Sequence, residues 1–530
     1  MQKLEMWAGL ECTVNRVEDT YFNQLAKNGH WERESDLLLF AELGVKKIRY
    51  PFLWEFAASE DPNHFDWSWI DQRLQMMKEL ELTPIAGFLH HGSGPKHTSL
   101  IDPGFPEKFA SYARAFAERY PWVCDFTPIN EINTTARFSC LYGHWFPHKR
   151  DSGSYLTAVM LQCKATVLAM REIRKVNPLA KLIQTDDLGE ISSTHILEYQ
   201  RDFENERRWI AFDLLCGKIT PDHPIYDYFI NSGISPHDLQ WFTENRCPPD
   251  VLGINHYHLS NRFLDHRLEL YPEYLHGGNG THQYADVGAI DTGETIPQTP
   301  EHILMSAWNR FHIPIAVTEV HVHGGREAQM RWVKEVWEAA LSARKKGAQV
   351  HAITAWSLLG TYDWNSLCTK DDMFYESGVF DLSNPDRIPK PTALGRMIKE
   401  LAINGHIQSP LLDEEGCWRT PRRILFAASQ GAFSSLEKSS RPLIIATGAG
   451  STGETFAKAC GERNIHYLLV GNNELEGVIA EKRPWGIINA GENMRNSFEV
   501  PLVNVPASSA ENCSSELAHS TLNLLIDVAH

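Results

Sequence analysis

Eight short apolar runs, separated by longer amphipathic segments, occupy the chain up to about residue 400 and leave few architectures open. The runs are Met6–Cys12, Lys46–Phe52, Thr83–His91, Val123–Glu131, Lys181–Asp187, Val251–Tyr257, Ile313–Val320 and Val350–Leu359. Between them apolar residues fall at helical spacing. Leu156, Val159, Met160, Cys163, Val167, Met170 and Ile173 form one stripe, which Asn177-Pro178 ends. Met330, Val333, Trp337, Ala340 and Leu341 form another, with Gly347 placed to stop it. Eight strand–helix units predict an α/β chain whose residues 1–405 fold as a (β/α)8 TIM barrel with insertions. The competing architecture, a doubly wound sheet, would gather its polar residues at one switch point. Here they recur from run to run, as Glu11, Arg49, His90-His91, Asn130-Glu131, Asp186-Asp187, Asn255–Tyr257 and Glu319.

Two of these run ends carry the chemistry. In Cys124-Asp-Phe-Thr-Pro-Ile-Asn130-Glu131 a buried strand ends in an amide and a carboxylate side by side. A second strand, Ile313-Pro-Ile-Ala-Val317-Thr318-Glu319, delivers another glutamate 188 residues later. Two carboxyls on one rim are what acid-catalysed cleavage of a sugar acetal requires. One protonates the leaving oxygen and the other meets the oxocarbenium-like carbon.

The net charge is −17, which argues against nucleic acid or an anionic membrane as partner. Ten scattered cysteines without a CxxC pair read as free thiols in a reducing compartment. With no signal-like N-terminus and no apolar run long enough to span a bilayer, a cytoplasmic location is expected.

The first 400 residues resemble glycoside hydrolase family 1, the β-glucosidase family, through five motifs in order. Thr127-Pro-Ile-Asn130-Glu131 is similar to the family's Thr-x-Asn-Glu-Pro acid/base motif, with Ile132 in place of the proline. Val317-Thr318-Glu319 is similar to its Thr-Glu-Asn-Gly nucleophile motif, with Val320-His321 in place of Asn-Gly. Arg49-Tyr-Pro-Phe-Leu-Trp54, Leu252-Gly-Ile-Asn255-His-Tyr257 and Trp356-Ser-Leu-Leu-Gly-Thr-Tyr-Asp363-Trp364 match the remaining three. The resemblance implies a retaining β-glycoside hydrolase that needs no cofactor and acts on a small-molecule or oligosaccharide glycoside. Glu131 would be general acid and base and Glu319 the nucleophile, kept ionised by Arg49. Asn130 would bond the sugar 2-hydroxyl, Tyr257 would hold the nucleophile, and His91 would bond the glycone. Asn255 would join them in the substrate-binding shell, and Trp356 and Trp364 would offer ring faces. Three positions depart from the pattern. Glu11 stands where a glutamine bonds outer hydroxyls, Asp363 replaces a glutamate, and Gly92 stands where a tryptophan is expected.

Beyond Gly405 the alternation fails, and residues 406–440 read as a connector whose Ile424-Leu-Phe-Ala-Ala patch is placed to dock on a domain. In residues 441–530 a strand runs into Gly448-Ala-Gly450-Ser-Thr-Gly453 and a helix. This resembles the start of extended short-chain dehydrogenases of the dTDP-4-dehydrorhamnose reductase type, truncated. Gly448, Gly450 and Gly453 would admit a pyrophosphate at a helix N-terminus. The acidic ribose partner is missing, however, and no Tyr-x-x-x-Lys pair follows residue 440. A small Rossmann-like module is therefore expected that does not bind NAD(P), serving as structure or as an interaction surface, a homo-oligomer contact included. His256-Tyr-His258 and His321-Val-His323 do not add up to a metal site, and none is expected. The alternative to an enzyme is a non-catalytic carbohydrate-binding or regulatory protein in sugar-nucleotide or surface-glycan metabolism.

Overall fold

Each of the eight apolar runs becomes a strand of one closed parallel barrel. The strands are β1 (Glu5–Gly9), β2 (Lys47–Pro51), β3 (Thr83–His90), β4 (Asp125–Asn130), β5 (Lys181–Asp187), β6 (Val251–Asn255), β7 (Ile315–Val320) and β8 (Val350–Ala355). Their order around the barrel is their order in the chain, and β1 closes it by pairing with both β8 and β2. The chain is thus a (β/α)8 barrel rather than a doubly wound sheet. The computed structural model describes residues 3–58, 64–288, 298–419, 441–447, 452–490, 498–505 and 513–529.

Inside the barrel, Trp7, Ile85, Ile183 and Ala316 come from alternate strands β1, β3, β5 and β7 and pack together with Val251 and Ala352. Such a plug closes the floor and leaves the strands' C-terminal ends for polar groups. Outside it, α1 (Phe105–Arg119) sets Phe109, Tyr112 and Phe116 against Phe88 of β3. Burying each such ring stabilises the wall by about 1.5–3 kcal/mol. The stripe over residues 156–173 lies on α2 (Ser152–Val176), which Asp151 caps by accepting from the Ser154 N–H. The second stripe lies on α3 (Arg326–Lys345). Strands Ile191–Ser193, Arg262–Asp265, His276–Gly278 and Gln283–Gly288 form a separate sheet between β5 and β7 that the sequence reading did not resolve.

After α4 (Ala393–Asn404) the first part of the connector lies on the barrel. Arg331 of α3 donates to the Leu411 carbonyl at 2.8 Å, and Trp418 donates to Glu335 at 2.7 Å. The Ile424 patch falls outside the described residues. Then β9 (Leu443–Thr447), β10 (Tyr467–Gly471), β11 (Gly486–Asn489) and β12 (Leu502–Asn504) form a parallel sheet in the order β10-β9-β11-β12. Alternation along β9 gives the sheet two apolar faces. Leu443 and Ile445 share a core with Phe456 of α5 (Thr452–Glu462) and Leu522 of α7 (Ser515–Ala529). Ile444 and Ala446 pack instead with Leu475 and Ile479 of α6 (Leu475–Lys482).

This small sheet is tied to the helix that follows β7. Arg463 at the end of α5 forms a two-pronged ion pair with Glu327 of α3, with the side chains 6% and 1% exposed. Removing one partner would leave the other charge buried and unpaired. Arg463→Met is therefore expected to lose about 3–5 kcal/mol of stability, read by urea unfolding. An unchanged midpoint would show that the pair does not hold the sheet to the barrel. Among the described residues no helix is long and apolar enough to cross a membrane, and nine cysteines are free.

Candidate active site

Glu131 and Glu319 reach the barrel mouth from β4 and β7, and local backbone irregularities aim both. The pairing of β7 with β6 and β8 shifts register after Val317, a bulge at Thr318 and Glu319. Strict alternation would send one of these two side chains outward. Instead Thr318 Oγ1 donates to Asn255 Oδ1 at 2.7 Å, and Glu319 Oε1 accepts from Arg49 Nη1 at 2.9 Å. Glu131, immediately after β4, has φ 48° and ψ 62°, the left-handed conformation, and starts the short helix Ile132–Ala136. His91, Ser357 and Asp363, also beyond strand ends, have φ of 55°, 56° and 60°. A non-glycine residue in that region costs about 1–2 kcal/mol, and such residues gather where geometry serves function.

Hydrogen bonds join the two carboxyls. Arg49 Nη2 donates to Asn130 Oδ1 at 2.7 Å, and that oxygen also accepts from Asn255 Nδ2 at 3.2 Å. Asn255 Nδ2 in turn donates to Glu131 Oε1 at 2.6 Å. The other oxygen of Glu319, Oε2, accepts from the Tyr257 hydroxyl. Thr185 Oγ1 gives Asn130 Oδ1 a third donor, at 2.7 Å. Asn130 is therefore the hub of the network, and its amide nitrogen lies 3.3 Å from His90 Nε2.

Glu131 and Glu319 are 4% and 2% exposed. Burial raises both carboxyls above the ordinary range, Glu319 well above it. Arg49 and Tyr257 pull Glu319 down while Glu131 and Glu11 push it up, and the Asn255 amide pulls Glu131 down. Arg49 lowers Glu319, as its position suggests, but by less than burial raises it. Mutual repulsion belongs to the pair, so the donors decide which carboxyl releases its proton first. Glu319 has a guanidinium and a phenol bonded to it, whereas Glu131 is bonded to the Asn255 amide and the Thr134 hydroxyl, with Arg49 and Arg137 acting at longer range.

The other expected residues divide. His91 lies at the pair, its Nε2 3.7 Å from Glu131 Oε2 and its Nδ1 2.9 Å from Thr135 Oγ1, and burial lowers it to about 4, which keeps it neutral. Trp356 stacks on His90 and carries the Arg49 guanidinium 4.6 Å from its ring centroid, so much of its ring is packed against protein. The fit is tight, since a Cβ on Gly9 would come within 2.4 Å of that ring. Glu11 lies beside Trp356 Nε1 at 3.4 Å. Both oxygens of Asp363 are engaged, with Lys27 at 2.5 Å and the Phe374 N–H at 2.8 Å, so it holds its own loop. Trp364 packs edge-on to His91, and its Nε1 is buried with no acceptor among the described residues. Gly448 and Gly450 fall outside the described residues, whereas Gly453 is buried in the first turn of α5. Among the described residues no group of three or more His, Cys, Asp or Glu is arranged to hold a metal ion.

Three features of the rim were missed. Trp145 packs on both His91 and Trp364, and only the run Trp145-Phe-Pro could have hinted at it. Asp186 supports the acid/base position from behind. It accepts from the Asn133 N–H at 2.9 Å and so caps the helix behind Glu131. Glu55 fills the space opened by Gly92, where an added Cβ would meet its Oε1 at 2.0 Å. Its Oε2 is buried without a partner among the described residues, and burial raises the carboxyl from 4.5 to about 8. The folded protein therefore favours the protonated form. That stability is fully present below about pH 4.5 and is lost as pH rises through about 8. Glu55→Gln is expected to melt like the parent at pH 4.5 and increasingly above it towards pH 8. Parallel melting curves at every pH would contradict this.

A small cavity of about 20 Å³, enough for one water, lies between the floor and the rim. Arg49, Ile85, His90, Thr127, Asn130 and Trp356 are among its walls.

No protein-family model matches the chain. Among solved structures it is similar to a β-glucosidase from Thermotoga maritima in complex with galacto-hydroximolactam, with TM-score 0.60 and 15% identity over 72% of this chain and 88% of that one. A family 1 β-glucosidase from Thermotoga maritima and a noeuromycin complex of the β-glucosidase from the same organism each align with TM-score 0.59 and 16% identity, at the same coverage. At such identity the likeness shows the barrel fold.

Proposed function

We propose that this chain is a retaining β-glycoside hydrolase of family 1 type, with Glu319 as nucleophile and Glu131 as acid/base. The observation that carries the reading is the hydrogen-bonded bridge between two buried carboxyls on β4 and β7, with a guanidinium paired to one of them. Retaining enzymes hold such a pair about 5–5.5 Å apart, close enough for one carboxylate to reach the anomeric carbon while the other reaches the leaving oxygen. Glu319 attacks that carbon as Glu131 gives its proton to the departing oxygen. In the second step Glu131 takes a proton from water, the water attacks the carbon, and Glu319 leaves. Arg49 and Tyr257 hold Glu319 at both oxygens, which fixes its orientation through both steps. His91 and the unpaired Trp364 Nε1 are suited to bond sugar hydroxyls. No step needs a cofactor. The small C-terminal sheet is read as a Rossmann-like structural module.

Proton NMR during hydrolysis of an aryl β-glucoside tests the reading. The β-anomer of the sugar is expected first, followed by mutarotation, whereas an initial α-anomer contradicts the proposed roles. One observation favours the second reading, a non-catalytic carbohydrate-binding protein. Both carboxyls are nearly covered, and the neighbouring cavity, which neither of them lines, holds about one water. Sugar binding without turnover across a panel of aryl β-glycosides would select that reading.

A further inference from the structure

We propose that Arg137 makes the aglycone side of this site a receptor for a carboxylate, so that the preferred substrates carry an acid on the group that leaves. The inference rests on the hydrolase reading and narrows its substrate class. Arg137 opens the turn Arg137–Leu141, which follows the short helix Ile132–Ala136. One hydroxyl separates it from the acid/base, since Thr134 Oγ1 is bonded to Glu131 and accepts from Arg137 Nη2 at 3.4 Å. Glu131 gives its proton to the departing oxygen, so a group beside it belongs to the aglycone side. The charge of Arg137 is also felt by Asp186 and Asp187 at the end of β5, which places it at the β4–β5 edge of the mouth.

This guanidinium is under-used. It has five N–H donors and keeps its charge at any ordinary pH. The long contact to Thr134 is its one hydrogen bond among the described residues, and its Nε is buried with no acceptor. Other enclosed arginines have carboxylates: Arg49 has Glu319, Arg207 has Glu204, Arg208 has Glu190 and Arg463 has Glu327. Arg137 forms no such pair among the described residues, and the acids around it are engaged elsewhere. Glu131 is bonded to Asn255, Asp186 caps the helix through Asn133, and Asp187 accepts from the Ser260 hydroxyl. Arg137 is only half-buried, so a ligand can reach the end of the group. Its surroundings suit an anion. Residues 137–150 contain Arg137, Lys149 and Arg150 and no aspartate or glutamate, in a chain of net charge −17, and the last two are exposed. Tyr142, 37% exposed and bonded through its N–H to the Arg137 carbonyl, lies next to the guanidinium. A neutral aglycone would offer single hydroxyl oxygens. A carboxylate offers two oxygens that match the guanidinium fork, together with the opposite charge.

The test uses substrate pairs that differ in charge: 4-carboxyphenyl and 4-carbamoylphenyl β-glucosides, and a β-glucosyl uronic acid beside its uronamide. Calorimetry with the matching thioglycosides, which resist cleavage, runs alongside on the full-length chain. At least one acid is expected to exceed its amide by about 10–100-fold in kcat/KM and in affinity. Which pair shows it tells an aryl acid from a sugar acid. Arg137→Met should bring the acid-to-amide ratio to about one, whereas loss of a merely structural residue would lower acid and amide alike. If no acid exceeds its amide in either measurement, or if Arg137→Met keeps the ratio, the inference is overturned, and turnover of the amides leaves the hydrolase reading standing. If nothing turns over yet an acid thioglycoside binds better than its amide and Arg137→Met loses the difference, the hydrolase reading fails and the role of Arg137 survives. Should Arg137→Met not fold, a variant carrying both Lys149→Ala and Arg150→Ala decides. A ratio kept there supports Arg137, and a ratio lost overturns its role.

Discussion

Replacing Glu319 with glutamine is expected to lower kcat/KM for an aryl β-glycoside by at least about 10⁴-fold, through kcat. The amide keeps its oxygen for Arg49 and turns its NH2 to the Tyr257 hydroxyl, which can accept, so the pocket's packing is preserved while the attacking charge is removed. Loss of rate then reports chemistry rather than collapse, which an unchanged melting curve would verify. Glu319→Gly opens space at the same position. Azide should enter there, restore turnover and give the α-glycosyl azide, because it attacks from the face the carboxylate has left. Retention of more than a tenth of the parent rate by Glu319→Gln would remove Glu319 from the reaction.

Glu131→Ala is expected to produce a loss that depends on the leaving group. For a methyl or sugar aglycone, which needs its oxygen protonated, the rate should fall by about 10²–10⁴-fold. For dinitrophenolate, which leaves unaided, the first step should change little. The glycosyl-enzyme should then accumulate, because no base activates water, and KM should fall with kcat. Burial raises the Glu131 carboxyl, so the alkaline limb of the parent's pH–rate profile belongs to loss of its proton and should flatten in the variant. Equal losses for every aglycone would assign Glu131 a structural role.

The barrel was legible because buried parallel strands read as continuous apolar runs, and all eight runs coincide with strands. The side chains at its mouth were legible in identity more than in geometry. Residue types at the ends of β4 and β7 marked Glu131 and Glu319, yet the bulge that turns Thr318 and Glu319 inward depends on pairing with β6 and β8, which lie far away in the chain. His256 and His258 gave no local sign of their setting. The strand stops at Asn255, and both histidines beyond it pack against Trp332, with His258 also against Trp418. Glu55 gave no local signal either, since its setting is created by Gly92 from the next strand's end. The consequence of burial at Glu319 was likewise hidden, because charge neighbours can be guessed from motifs whereas desolvation depends on the whole enclosure.

The account stands on a covalent bond between Glu319 and the sugar. Incubation with 2,4-dinitrophenyl 2-deoxy-2-fluoro-β-glucoside slows release of the intermediate more than its formation. Mass spectrometry of the intact chain should show the added mass of one fluorosugar, and the labelled peptide should carry it on Glu319. No adduct under conditions where the sugar binds, or an adduct on any other residue, would contradict the account.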